Sequence, residues 1–193
     1  MWRRCFLFLV LSMGGCTASS DYMRELVTVR PPKPVSDRAT VVFVRPSSFG
    51  SRMVVTILDD KGRFMGDALA STWFVRRVEA GEHTFISWAE NTSALRATLL
   101  PGRVYFVEVD VKLGALSPRT HLRAVTRDAA TWSDRDEWIS DATELAVDAR
   151  GGQAHLDSRS DEVEERIRRG RDALAHYTPA ELAVRTLSPH DGT

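Results

Sequence analysis

The residues able to do chemistry in this chain are few and scattered. Five histidines, His83, His121, His155, His176 and His190, are dispersed, and no two stand four apart. A zinc site needs several nitrogen or sulfur ligands brought together, and short regular spacings are how a sequence announces one. Asp59-Asp60 and Asp134-Arg135-Asp136-Glu137 are dense in carboxylates but lack the glycine-punctuated spacing of a calcium loop. Both read as solvated acidic turns. Ser48-Phe49-Gly50-Ser51 is the nearest approach to a nucleophile elbow, and it lacks the first glycine of Gly-x-Ser-x-Gly. Ser47, Ser48 and Ser51 therefore read as loop residues. There is no glycine-rich phosphate loop, and no spacing marks a glycosidase pair of carboxylates. No catalytic, cofactor-binding or metal-binding residue is assigned, and the chain reads as a non-enzyme.

The thiols carry a more definite message. Cys5 and Cys16 are too few, and too close to one end, for a disulfide-dense scaffold or a four-thiolate zinc site. In MWRRCFLFLVLSMGGC, Arg3 and Arg4 precede an apolar stretch from Cys5 to Leu11, and small residues lead up to Cys16. That is the layout of an export signal. A spanning helix needs about 20 apolar residues, and this run stops well short of that. Met13-Gly14-Gly15-Cys16 resembles a bacterial lipobox, with Met13 where Leu or Val is commoner. The resemblance implies a diacylglyceryl group on the Cys16 thiol, cleavage before it, and acylation (palmitate, for example) of the freed amine. More than one acyl chain is what makes such an anchor stable. The signal peptide is expected at 1–15 and the lipid attachment at Cys16.

Arg3-Arg4-Cys5-Phe6-Leu7 also resembles a twin-arginine export motif, but the short basic region and strongly apolar core favour the general secretory route. Thr17 is not the aspartate that resembles an inner-membrane retention signal. The expected location is therefore the periplasmic face of the outer membrane, with inner-membrane residence or secretion as alternatives.

The rest of the chain must form whatever this anchor carries. Its 193 residues suit one ordinary domain with appendages. Basic and acidic side chains balance at 26 each, and with Arg3 and Arg4 removed 24 basic remain against 26 acidic. Such a balance gives no electrostatic ground for a nucleic-acid partner. Residues 16–38 read as a lipidated tether and lead-in, with Arg30-Pro31-Pro32-Lys33-Pro34 favouring an extended spacer. Leu26–Val29 is a candidate edge strand.

Residues 39–127 alternate short β-branched and aromatic runs with turn signals, predicting a small antiparallel β-sandwich of seven to eight strands. Turns are expected at Asp59–Gly62, Glu79–Glu82 and Pro101-Gly102. Along Arg103–Val111 the side chains of Tyr105, Val107, Val109 and Val111 share one face. Residues 128–193 predict a helical C-terminal extension. Its main helix spans Asp161–Tyr177, with Val163, Ile167, Leu174 and Tyr177 on one face. Glu162/Arg166, Glu164/Arg168 and Glu165/Arg169 stand as i,i+4 pairs along it. Ser158 and Asp161 are placed to cap it, Gly170 to bend or fray it, and Ser188–Thr193 to fray. Trp73, Phe74, Trp88, Tyr105 and Phe106 fall in predicted strands and are expected in the core rather than on a binding face. Trp132 and Trp138 are expected to cover the sheet from a helix.

Ala39–Gly50 ends a strand in Arg45-Pro46-Ser47, and Val54–Asp60, Gly66, Gly81-Glu82-His83-Thr84 and Leu100–Val107 follow. Together these segments resemble the domain of unknown function numbered 2846, found in bacterial lipoproteins. That resemblance implies a small β-sandwich on a lipid anchor and brings no catalytic residues. Ala80-Gly81 stands where that family usually shows Pro-Gly.

The two function classes are a non-enzymatic envelope module and a lipid-anchored hydrolase or ligand carrier acting on cell-wall material. The first is favoured, because no cluster of convergent polar groups is legible. The expected partners are the membrane, through Cys16, and an unidentified envelope or cell-wall component.

Overall fold

The computed structural model describes residues 18–28, 30–115 and 117–193. Strand β2 (Ala39–Arg45) is buried at every position, as a near-continuous apolar run requires when both faces are covered. It lies at the middle of the first sheet, between β5 (Thr72–Val78) and β8 (Val104–Leu113). Val41 and Phe43 face the second sheet, while Val42 and Val44 face outward beneath helical cover. The first sheet is completed by β1 (Met23–Glu25), β9 (Pro118–Ala124) and β10 (Thr143–Val147), in the order β1-β10-β5-β2-β8-β9. The second contains β3 (Val55–Asp59), β4 (Phe64–Ala68), β6 (Gly81–Trp88), β7 (Thr92–Leu99) and β11 (Thr186–Leu187), in the order β11-β7-β6-β3-β4.

The chain is thus a β-sandwich with a helical C-terminal part. Two details refine the expectation. The described residues form eleven strands, and the sheets are mixed, because β2/β8, β10/β5 and β11/β7 run parallel. The turn at Asp59–Gly62 closes the expected β3–β4 hairpin. Those at Glu79-Ala80 and Pro101-Gly102 do not make hairpins, since each carries the chain from one sheet to the other. Turn chemistry is the same in both cases, and only the pairing of the flanking strands differs.

Both outer faces are covered. The 3₁₀ turn Ala130–Trp132 and α1 (Arg135–Asp141) bring Trp132, Trp138 and Ile139 onto Val42, Val44, Trp73 and Phe106. Helices α2 (Ala149–Asp157) and α3 (Ser160–His176) cover Leu58, Phe64, Ile86 and Ala94 of the second sheet. Val163 and Leu174 are buried there, with Ile167 and Tyr177 beside them. At Gly170 α3 continues unbroken. The glycine lets the helix lie close on the sheet, since a Cβ there would lie 2.9 Å from Ile86 Cγ1.

Of the three charged pairs expected along α3, only Glu165–Arg169 forms, at 2.6 Å. Arg168 turns instead to Glu165 and Asp172. Arg166 donates to Thr92 Oγ1 and lies over the Trp88 ring. Ser158 donates to the His155 carbonyl rather than capping α3. A reciprocal capping box does occur, between Thr178 and Glu181 at the start of α4 (Pro179–Ala183).

The ends of the chain are packed onto the sandwich. Ala18 N–H donates to the Ser51 carbonyl at 2.7 Å, and Ser20 Oγ donates to Asp67 at 2.6 Å. The edge strand begins at Met23, three residues ahead of the expected Leu26, because Met23 fills the inter-sheet core and Leu26 does not. The first described part of the expected tether is therefore part of the domain. Ser188–Thr193, expected to fray, is clamped. Thr193 and Val104 exchange backbone hydrogen bonds, and Arg103 and Arg127 both donate to the Gly192 carbonyl.

Candidate functional site

Cys5 and Cys16 lie outside the described residues. The nearest described chain is Ala18, bonded to Ser51 on the loop between β2 and β3. That loop is organised from within by Arg45. Its side chain is 0% exposed, yet it has no carboxylate partner among the described residues. One guanidinium nitrogen donates to the Met53 and Ala68 carbonyls at 2.8 and 3.1 Å, and the other to Phe49 and Gly50 at 2.9 and 2.8 Å. Burial lowers its proton affinity below that of an ordinary arginine. Four carbonyl dipoles replace the water it has lost.

The residues weighed for chemistry stand apart from one another. Asp59 is buried and accepts from the Lys61 and Arg63 amides and from Arg63 Nε, which makes it the brace of its own turn. Asp134 precedes α1, with Asp136 and Glu137 in its first turn. Ser47 Oγ accepts from the Phe49 amide. His83 meets the Glu79 carbonyl, His176 the Asp172 carbonyl, and His155 packs against the Tyr22 ring. Among the described residues no three or more His, Cys, Asp or Glu side chains gather as metal ligands would.

His121 lies on β9 opposite Asp110 of β8. Burial, reinforced by the Arg185 cation, holds its imidazole below the usual 6.5. Between that lowered value and 6.5 the unfolded chain binds more protons than the folded one, so stability rises with pH across that window. Urea denaturation of His121→Gln should show a flatter rise just below pH 6.5 than the parent. An unchanged slope would count against the assignment.

The aromatic residues divide. Trp73, Phe74, Tyr105 and Phe106 are buried in the sandwich and beneath α1. Trp88 is only partly covered and is flanked by the guanidinium groups of Arg159 and Arg166, at 4.4 and 5.2 Å from its ring centre. Neither arrangement leaves a row of free rings for a ligand to stack on.

What the fold does bring together is cationic. A cleft of about 350 Å³ opens between the β4 end of the second sheet, the end of β5, and the first turn of α2. Arg38, Arg63, Arg76, Arg77 and Arg150 line it, with Glu79 the lone acidic residue in the lining. Along β5, Phe74 and Val78 belong to the inter-sheet core, so period-two alternation points Arg76 inward between them. Its Nε is buried and has no hydrogen-bond partner. Burial lowers its proton affinity, nearby Arg63 lowers it further, and Asp59 acts in the opposite sense. The sequence signal was an arginine in a core-facing register of β5, which composition and motif reading pass over. No protein-family model, curated protein or solved structure matches the chain.

Proposed function

We propose that this protein is a lipid-anchored bacterial envelope lipoprotein. Its β-sandwich serves as a non-enzymatic structural or interaction module, on the periplasmic face of the outer membrane. The observation that supports the reading is where the described chain begins on the domain. Cys16 stands two residues before Ala18, whose amide is bonded to Ser51, and two residues of chain reach at most about 7 Å. A lipid on Cys16 would thus seat the sandwich directly at the headgroups, with the Ser51 loop towards the bilayer. Phe49 and Arg52 are exposed on that loop, an apolar ring and a cation suited to such a boundary.

Cys16→Ser is the direct test. In cell fractionation the parent is expected with the membranes and the variant in the soluble fraction, and only the parent should incorporate labelled palmitate. Membrane association and labelling that persist in the variant would rule the anchor out.

A further inference from the structure

We propose that the arginine cleft between β4, β5 and α2 binds the phosphate group of a soluble or polymeric ligand. Five arginines and one glutamate contribute to its lining, with Arg76 on the inward face of β5 and Arg77 next to it on the other face. No described carboxylate forms an ion pair with Arg38, Arg76, Arg77 or Arg150, and Arg63 alone is paired, with Asp59 at 2.5 Å. Like charges gathered this way repel one another, and a cation turned inward also loses hydration. Arg76 bears both costs, since it holds a core-facing position of β5 and keeps a buried Nε without a partner. Arg45 is turned inward with an unpartnered Nε as well, but four carbonyls receive its Nη protons. Arg76 has no such set, and an oxyanion in the cleft would supply it.

Guanidinium forks match the oxygens of phosphate in paired hydrogen bonds. A doubly charged phosphate answers several guanidiniums better than a single carboxylate does. The N-terminus of α2 is not the binding element, because Asp148 already accepts from the Gly151 amide there.

Position argues against the headgroups of an anchoring membrane as the source. Arg38 and Val78 mark the Ala39/Val78 end of the β2–β5 ladder, whereas Ala18 joins the loop beyond the Arg45/Thr72 end. Six residues of strand separate these ends, roughly 20 Å. Arg38, Arg76 and Arg77 therefore lie towards the end of the ladder opposite the Ser51 loop. The inference does not depend on lipid attachment, since the cleft is built wholly from the folded domain.

Calorimetric titration of the purified full chain with inorganic phosphate tests it, alongside sedimentation with phosphatidylglycerol vesicles. Saturable phosphate binding that weakens with added salt is expected. Arg150→Gln, at an exposed position, and Arg76→Gln should each weaken it about tenfold, while Arg119→Gln on β9 leaves it unchanged. Vesicle sedimentation should not respond to Arg150→Gln. Absence of saturable binding would overturn the proposal, as would phosphate binding unaltered in both cleft variants. Vesicle binding that is lost with Arg150→Gln while the phosphate titration stays silent would do so too, in favour of a lipid headgroup.

Discussion

Replacing Arg45 with leucine should destabilise the domain by about 3–5 kcal/mol, because the carbonyls of Phe49, Gly50, Met53 and Ala68 lose their donor together. Against a typical total of about 5–15 kcal/mol that is a large fraction. In a chain of this size it should lower the melting temperature by about 10 °C. The effect has a local signature as well. Residues 46–53 wrap around the guanidinium, and Ser51 in that loop receives the Ala18 amide. Hydrogen exchange should therefore accelerate in both segments before the rest of the sheet opens. Arg45→Lys should fall between the two, since an ammonium offers three donors from one point and cannot span two pairs of carbonyls as a planar fork does. A melting temperature for Arg45→Leu within a degree or two of the parent would show that the loop holds itself.

Gly152→Ala is the second substitution expected to act strongly. Gly152 is buried in α2, and a Cβ built there would overlap ring carbons Cδ1 and Cε1 of Phe64. That ring cannot readily withdraw. Phe64 is 2% exposed, packs edge-on against Tyr22, and has its own amide fixed by Gln153 Oε1 at 2.9 Å. Alanine would gain nearly 1 kcal/mol of intrinsic helix preference, but overpacking of a tight contact costs about 1–3 kcal/mol and more when backbone must shift. The net result should be a loss of roughly 2 kcal/mol in chemical denaturation. Gly151→Ala provides the contrast, because the new carbon would meet chiefly the Asp148 side chain. Combining Gly152→Ala with Phe64→Leu should cost less than the two changes separately, as expected of residues in contact. Strict additivity would refute the collision.

Much of the sandwich is written in local pattern. The alternation of Tyr105, Val107, Val109 and Val111 places all four in the inter-sheet core, and the apolar face of α3 meets the second sheet. Features that depend on distant partners are not. Thr143–Val147 is five residues between two helices, and it becomes a strand because β5 and β1 flank it. Thr186-Leu187 has only two residues with which to announce β11. Arg45 reads in the sequence as a charged strand end, and its burial follows from a loop folding over it. The arginine cleft is assembled from residues 38, 63, 76–77 and 150, four segments no linear motif could join. Only the inward register of Arg76 left a trace, visible once β5 was assigned a core face.

The order of strands in the first sheet has a consequence for the birth of the protein. Strand β1 begins at Met23, yet its sole partner in the sheet is β10, which ends at Val147. The second sheet is likewise completed only by residues 186–187. A growing chain therefore cannot complete the first sheet before residue 147, nor the second before residue 187, and contacts so far apart in sequence form slowly. Late closure of this kind would suit the export proposed above, because a secretory channel admits only unfolded chain.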